Sequence, residues 1–69
     1  MINIGIIGCG RIATHHCEAI RKLRNLKLVA VYDLDFKKAQ ELARKFKTIA
    51  FQNYYQMLNE KKEINLVII

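Results

Sequence analysis

Gly8-Cys9-Gly10-Arg11-Ile12-Ala13 follows the apolar run Ile4-Gly5-Ile6-Ile7, and an acid, Asp33, closes the next apolar run, Leu28-Val29-Ala30-Val31-Tyr32. These residue types in this order suit the binding of a dinucleotide. A pyrophosphate needs a turn tight enough to leave a strand and enter a helix at once, with no side chain between the amides and the phosphates. Gly8 can supply the tight turn, Gly10 the close approach of the main chain, and Ala13 a third position small enough for the helix to pack near the strand. The amides of Arg11 and Ile12 then become unpaired donors in a first helical turn, at the positive end of the helix dipole.

Asp33 stands 25 residues after Gly8, the interval expected when one helix and one strand separate a phosphate loop from the residue that holds the ribose. A carboxylate there can accept hydrogen bonds from both adenosine ribose hydroxyls. It also repels a 2′-phosphate, by roughly 4 kcal/mol per charge pair at about 4 Å and an effective dielectric near 20. NAD is therefore expected in preference to NADP, although Lys37 and Lys38 just beyond the strand, and the alanine at position 13, pull the other way. Asp33 could instead cap a helix, but Asp35 is better placed for that task and leaves Asp33 free for a ligand.

Around these residues the chain alternates between strand and helix. Ile2 to Ile7 reads as a central parallel strand, apolar on both faces, and Arg11 to about Arg24 as a helix with Ile12, His16, Ala19, Ile20 and Leu23 on one face. Lys27 to Asp33 is the second strand, and Asp35 caps a helix whose stripe is Phe36, Ala39, Leu42, Ala43 and Phe46. Thr48 to Phe51 is a short strand. Asn53 with Gln56 has the form of a capping box, opening a brief helix through Tyr54, Tyr55, Met57 and Leu58. After a charged connection from Glu60 to Glu63, Ile64 to Ile69 forms the last strand. Right-handed crossovers then give an α/β Rossmann-type parallel sheet of order 3-2-1-4, with the glycine loop at the switch point. An almost wholly apolar last strand expects a further neighbour. Residues 1–69 are accordingly expected to be the N-terminal part of a larger doubly wound domain.

Composition narrows the function classes. The 69 residues are 52% hydrophobic, contain no proline and carry a net charge of +6. The cations gather at helix ends and polar faces, and no recognition helix or aromatic platform accompanies them, so no nucleic-acid partner is expected. No segment reaches the roughly 18 apolar residues of a membrane span, and the N-terminus lacks a secretory pattern, so a cytoplasmic protein without a membrane partner is expected. Cys9, His15, His16 and Cys17 lack zinc-like spacing, and adjacent histidines on a helix diverge by about 100°; no metal site is expected. Cys9 could be a thiolate at a helix N-terminus, but reads better as small filler beneath the pyrophosphate, and Cys17 as a packed free thiol. Tyr54 and Tyr55 could stack on a ligand; core-facing positions on a short helix are the plainer expectation.

The stretch Asn3-Ile4-Gly5-Ile6-Ile7-Gly8-Cys9-Gly10-Arg11-Ile12-Ala13, with His16, Ala19-Ile20, Leu28 to Asp33, Leu42 to Phe46 and Asn65 to Ile69, resembles the N-terminus of the glucose-fructose oxidoreductase, inositol dehydrogenase and rhizopine catabolism family. The resemblance implies a Rossmann domain that holds NAD or NADP, and a second α/β domain, absent from these residues, that binds a sugar or cyclitol. Hydride transfer between a carbohydrate hydroxyl and nicotinamide would be the activity of the full-length protein, expected to be a homo-oligomer. Position by position, the resemblance makes Gly8, Gly10, Arg11, Ile12 and Asp33 cofactor contacts and sets Leu34 beside the adenosine. The family's catalytic lysine belongs to a Glu-Lys-Pro segment beyond the next strand. Glu60-Lys61-Lys62 precedes the last strand and lacks the proline, so no catalytic residue is expected in this stretch. An NAD-sensing regulatory module without chemistry, and a Rossmann dehydrogenase of another substrate class, are the alternatives.

Overall fold

In the computed structural model, which describes residues 1–69, strands β1 (Ile2–Ile7), β2 (Leu26–Tyr32), β3 (Ile49–Phe51) and β4 (Leu66–Ile68) alternate with helices α1 (Arg11–Lys22), α2 (Phe36–Phe46) and α3 (Tyr54–Glu60). All pairings are parallel and the order is β3-β2-β1-β4, the Rossmann-like arrangement the sequence predicts. The handedness of the crossovers sets the layers. Stepping from β1 to β2 to β3 in one direction puts α1 and α2 on the same face, and the return to β4 on the far side of β1 carries α3 across the other.

Each face has its own core. Ile4, Ile6 and Val31 meet Ala13, Cys17 and Ile20 of α1 and Ala39, Leu42 and Ala43 of α2, whereas Val29, Ala30 and Phe51 meet Met57 of α3. Gly5 lies under α3, where an added Cβ would stand 3.0 Å from Ile64 Cδ1 and 3.3 Å from Met57 Cε. The strand therefore carries a glycine where the helix layer comes close.

Between Ile4 and Gly5 the β1–β2 register slips: Ile4 pairs with Leu28, but Gly5 pairs with Ala30. Val29 is the extra residue, and such a bulge puts two successive side chains on one face. Val29 and Ala30 accordingly both belong to the α3 core.

Helix ends follow local chemistry. Asp35 caps α2 by accepting the Lys37 N–H at 3.2 Å, and Asn53 caps α3 by accepting the Gln56 N–H at 3.1 Å. The second half of the expected capping box does not form, because the Gln56 side chain donates to Glu60 Oε2 at 2.7 Å. α2 stops at Lys47, which takes a left-handed conformation at φ 56°.

The buried stripe of α1 is Ala13-Cys17-Ile20, not the expected Ile12-His16-Ala19-Ile20-Leu23. Ile12, Ala19 and Leu23 are exposed and His16 is half-buried. Ala13, Cys17 and Ile20 stand at i, i+4 and i+7 on the face that meets the sheet, and Ile12, Ala19 and Leu23 fall outside it. The helix also ends at Lys22 rather than near Arg24. The last strand is shorter than expected: the Ile64 N–H turns back to the Lys61 carbonyl at 3.1 Å, leaving only Leu66–Ile68 in the ladder.

Candidate dinucleotide-binding site

The glycine loop leaves β1 at the carboxyl edge of the sheet. Gly8 takes φ +98°, a conformation that favours glycine, and its N–H donates to the Tyr32 carbonyl at 2.8 Å. The next amide, that of Cys9, donates to Asp33 Oδ2 at 2.8 Å. Gly10 is the N-cap of α1, with an ordinary extended backbone and no side-chain cap, and the first turn of the helix holds no acid. The positive end of the α1 dipole thus meets no compensating charge from its own sequence.

Gly10 is glycine for neither of the usual internal reasons. Its φ is −82°, which any residue adopts, and an added Cβ would find no atom of the chain within 4 Å. What its Cβ would fill is open space at the N-cap of α1.

Asp33 is not the free side chain the sequence leads one to expect. Its Oδ2 holds the Cys9 amide and its Oδ1 accepts the Asp35 N–H, also at 2.8 Å. The Cys9 hydrogen bond holds the carboxyl below the usual carboxylate range; slight burial opposes this, and the Asp35 bond and nearby Lys38 add to it. Each carboxylate oxygen accepts more than one hydrogen bond, so both keep capacity for a ribose hydroxyl. The structure therefore brings Gly8, Cys9 and Asp33 together through the backbone. Arg11, Ile12 and Leu34 project from the same edge into solvent, with Ile12 66% and Leu34 82% exposed.

Cys9 is a packing residue. It is buried, its Sγ lies 3.3 Å from the Tyr32 carbonyl, and its pKa is pushed up to about 11 by burial, with the charge of Asp33 and the nearby Cys17 adding to the effect. Cys17 is likewise raised to about 11 by burial, against a smaller opposite pull from Lys45. Neither thiol is a nucleophile at neutral pH. No three His, Cys, Asp or Glu side chains converge in a way that could hold a metal ion.

A tyrosine array at this edge escapes simple pattern reading. The Tyr32 and Tyr54 rings are 5.8 Å apart and tilted by 58°, and those of Tyr54 and Tyr55 stack at 4.4 Å and 26°. Tyr55 is 66% exposed rather than core-facing, because Met57 takes the inward position of α3. A groove of about 170 Å³ runs from Cys9 between α1 and α2 past Lys38 and Lys45. A larger one of about 230 Å³, floored by Cys17, Leu26 and Phe46, opens at the opposite end of the strands and is not part of this site.

Residues 2–69 match the model of an oxidoreductase family with an NAD-binding Rossmann fold. The chain belongs to the Gfo/Idh/MocA family. It is 36% identical over 59 residues to glucose-6-phosphate 3-dehydrogenase of Bacillus subtilis, which covers 86% of this chain and 17% of that protein. A myo-inositol dehydrogenase of Corynebacterium glutamicum superposes with a TM-score of 0.86 at 28% identity, over 99% of this chain and 20% of that one. A provisionally named NADPH-dependent oxidoreductase of Desulfitobacterium hafniense superposes at 0.90 with 25% identity, over the same shares. The chain thus spans about a fifth or less of these relatives. The family model describes an NAD-binding fold, and solved structures of the same fold at 22% and 23% identity hold NADP and NAD. No helix in this Gfo/Idh/MocA segment is long and apolar enough to cross a membrane.

Proposed function

We propose that residues 1–69 are the part of a dinucleotide-binding domain that grips the ADP half of NAD, in an oxidoreductase moving hydride between a sugar or cyclitol hydroxyl and nicotinamide. The remainder of that domain and a substrate domain would belong to the full-length protein, as the small share of each relative that this chain matches supports. Bound NAD would supply the hydride acceptor. This stretch would hold and orient it.

The observation that carries the reading is Gly10, whose missing side chain leaves open space in front of an uncapped helix N-terminus. The residues fit the group. Gly8 and Gly10 would leave room for the pyrophosphate against the amides of Arg11 and Ile12, Asp33 would take the ribose hydroxyls, and Leu34 would lie against the adenosine. The negative charge of Asp33 favours NAD over NADP, while Lys38 beside it offsets part of that selection. Sugar and cyclitol chemistry is supported by the relatives at 36% and 28% identity, a glucose-6-phosphate 3-dehydrogenase and a myo-inositol dehydrogenase. Two buried free thiols suit a cytoplasmic setting.

Calorimetric titration with NAD, on the chain and on Gly10→Val, tests the proposal. Wild type should bind and the variant should not, with both giving the same circular dichroism. Undiminished binding by a folded Gly10→Val would remove the loop from the site.

A further inference from the structure

Large side chains stand exposed in the segments that follow the first three strands: Ile12 in the first turn of α1, Leu34 in the loop after β2 and Tyr55 in the first turn of α3, the last 66% exposed. In a parallel α/β sheet this carboxyl edge is the ligand crevice. Tyr55 belongs to a continuous array that leads back to the glycine loop. Its ring stacks on Tyr54 at 4.4 Å, Tyr54 lies 5.8 Å from Tyr32, and the Tyr32 carbonyl receives the Gly8 N–H at 2.8 Å. Tyr32 also immediately precedes Asp33.

We propose that the Tyr54–Tyr55 pair is a stacking platform for the adenine ring, with Leu34 as the apolar contact beside it. This rests on the reading of the loop and Asp33 as the NAD site. Asp33 fixes the ribose, so the attached base must leave along the same edge. The array begins one residue before Asp33 and ends in solvent. Nothing in the fold itself requires an aromatic residue at position 55, since the core position of α3 is filled by Met57. An aromatic face suits a purine, and because Tyr54 is held between two other rings the platform is ordered before the base arrives.

The test is titration of the 69-residue chain with 1,N6-ethenoadenine NAD, followed by its own fluorescence and by tyrosine emission, which no tryptophan obscures. Tyr55→Ala should weaken binding about tenfold and Tyr55→Phe should restore it, as expected where one base stacks on one ring. Ribose 5-diphosphate, which keeps the ribose hydroxyls and pyrophosphate of that half but lacks the base, should bind wild type and Tyr55→Ala alike. Equal affinity of wild type and folded Tyr55→Ala for the etheno cofactor would overturn the platform and leave the NAD site standing. Failure of wild type to bind either the etheno cofactor or NAD would overturn both.

Discussion

The backbone N–H of Cys9 donates to the Asp33 carboxylate at 2.8 Å, so the end of β2 is tied to the loop that leaves β1. The residue read as a ribose ligand is also a brace for the phosphate loop. Hydrogen bonds to a charged acceptor contribute on the order of 2 kcal/mol when buried and less where water reaches them, as it does here.

Asp33→Ala therefore has three effects. Losing ribose acceptors weakens NAD, loosening the loop weakens NAD and NADP alike, and losing the charge relieves the repulsion of a 2′-phosphate, so NAD affinity should fall much further than NADP affinity. Parallel calorimetric titrations measure this, and urea denaturation should show a stability loss of roughly 1 kcal/mol. Equal losses for the two cofactors would contradict selection by Asp33, and unchanged stability would mean that the brace is idle.

The pH dependence follows from the same bond. The folded-state pKa of Asp33 is depressed, so its stabilisation is present above the ordinary carboxylate value of about 3.9 and is lost as pH falls through the lower folded value. Denaturation midpoints should decline in that acid range for the wild type. In Asp33→Ala this part of the decline should vanish.

Cys9 and Cys17, both raised to about 11, should react slowly with iodoacetamide at pH 8 and become fast in urea. Their contribution to stability is full below the ordinary thiol value of about 8.5 and is lost as pH rises through the folded values. Rapid labelling of either residue in the native chain would contradict their burial.

The glycines separate fold from binding. Gly8→Ala places a side chain at φ +98° and should cost about 1–2 kcal/mol of stability. Gly5→Val must push aside Ile64 and Met57 and should cost about 1–3 kcal/mol through overpacking, with no direct effect at the loop. Gly10→Val should leave the denaturation midpoint near that of wild type. Chemical denaturation of the three variants ranks them.

Much of this was legible in the residues. Parallel apolar runs and the rule of right-handed crossovers led to the strand order, and Asp35 and Asn53 cap the helices they were expected to cap. Hydrophobicity alone favours Ile12 and Leu23 for the inward face of α1, whereas the sheet meets the i, i+4, i+7 stripe of Ala13, Cys17 and Ile20. Spacing pointed to Asp33 but not to its bond with the Cys9 amide, since backbone donors are the same in every residue type. The tyrosine array joins positions 32 and 54 across two elements, a distance no local pattern spans.

The slipped register in β1–β2 works like a vernier. Beyond the extra residue Val29, the strands run on together to the pair Ile7 and Tyr32, so that Gly8 and Asp33 are the next residue on each. Deleting Val29 would only remove the bulge and leave these pairs in place, whereas deleting Val31, beyond it, would draw Asp33 back opposite Ile7 and turn the last strand residues over. An insertion or deletion between the bulge and the loop, buried in mid-strand and far from any ligand, would thus disarm the loop as surely as changing the loop itself.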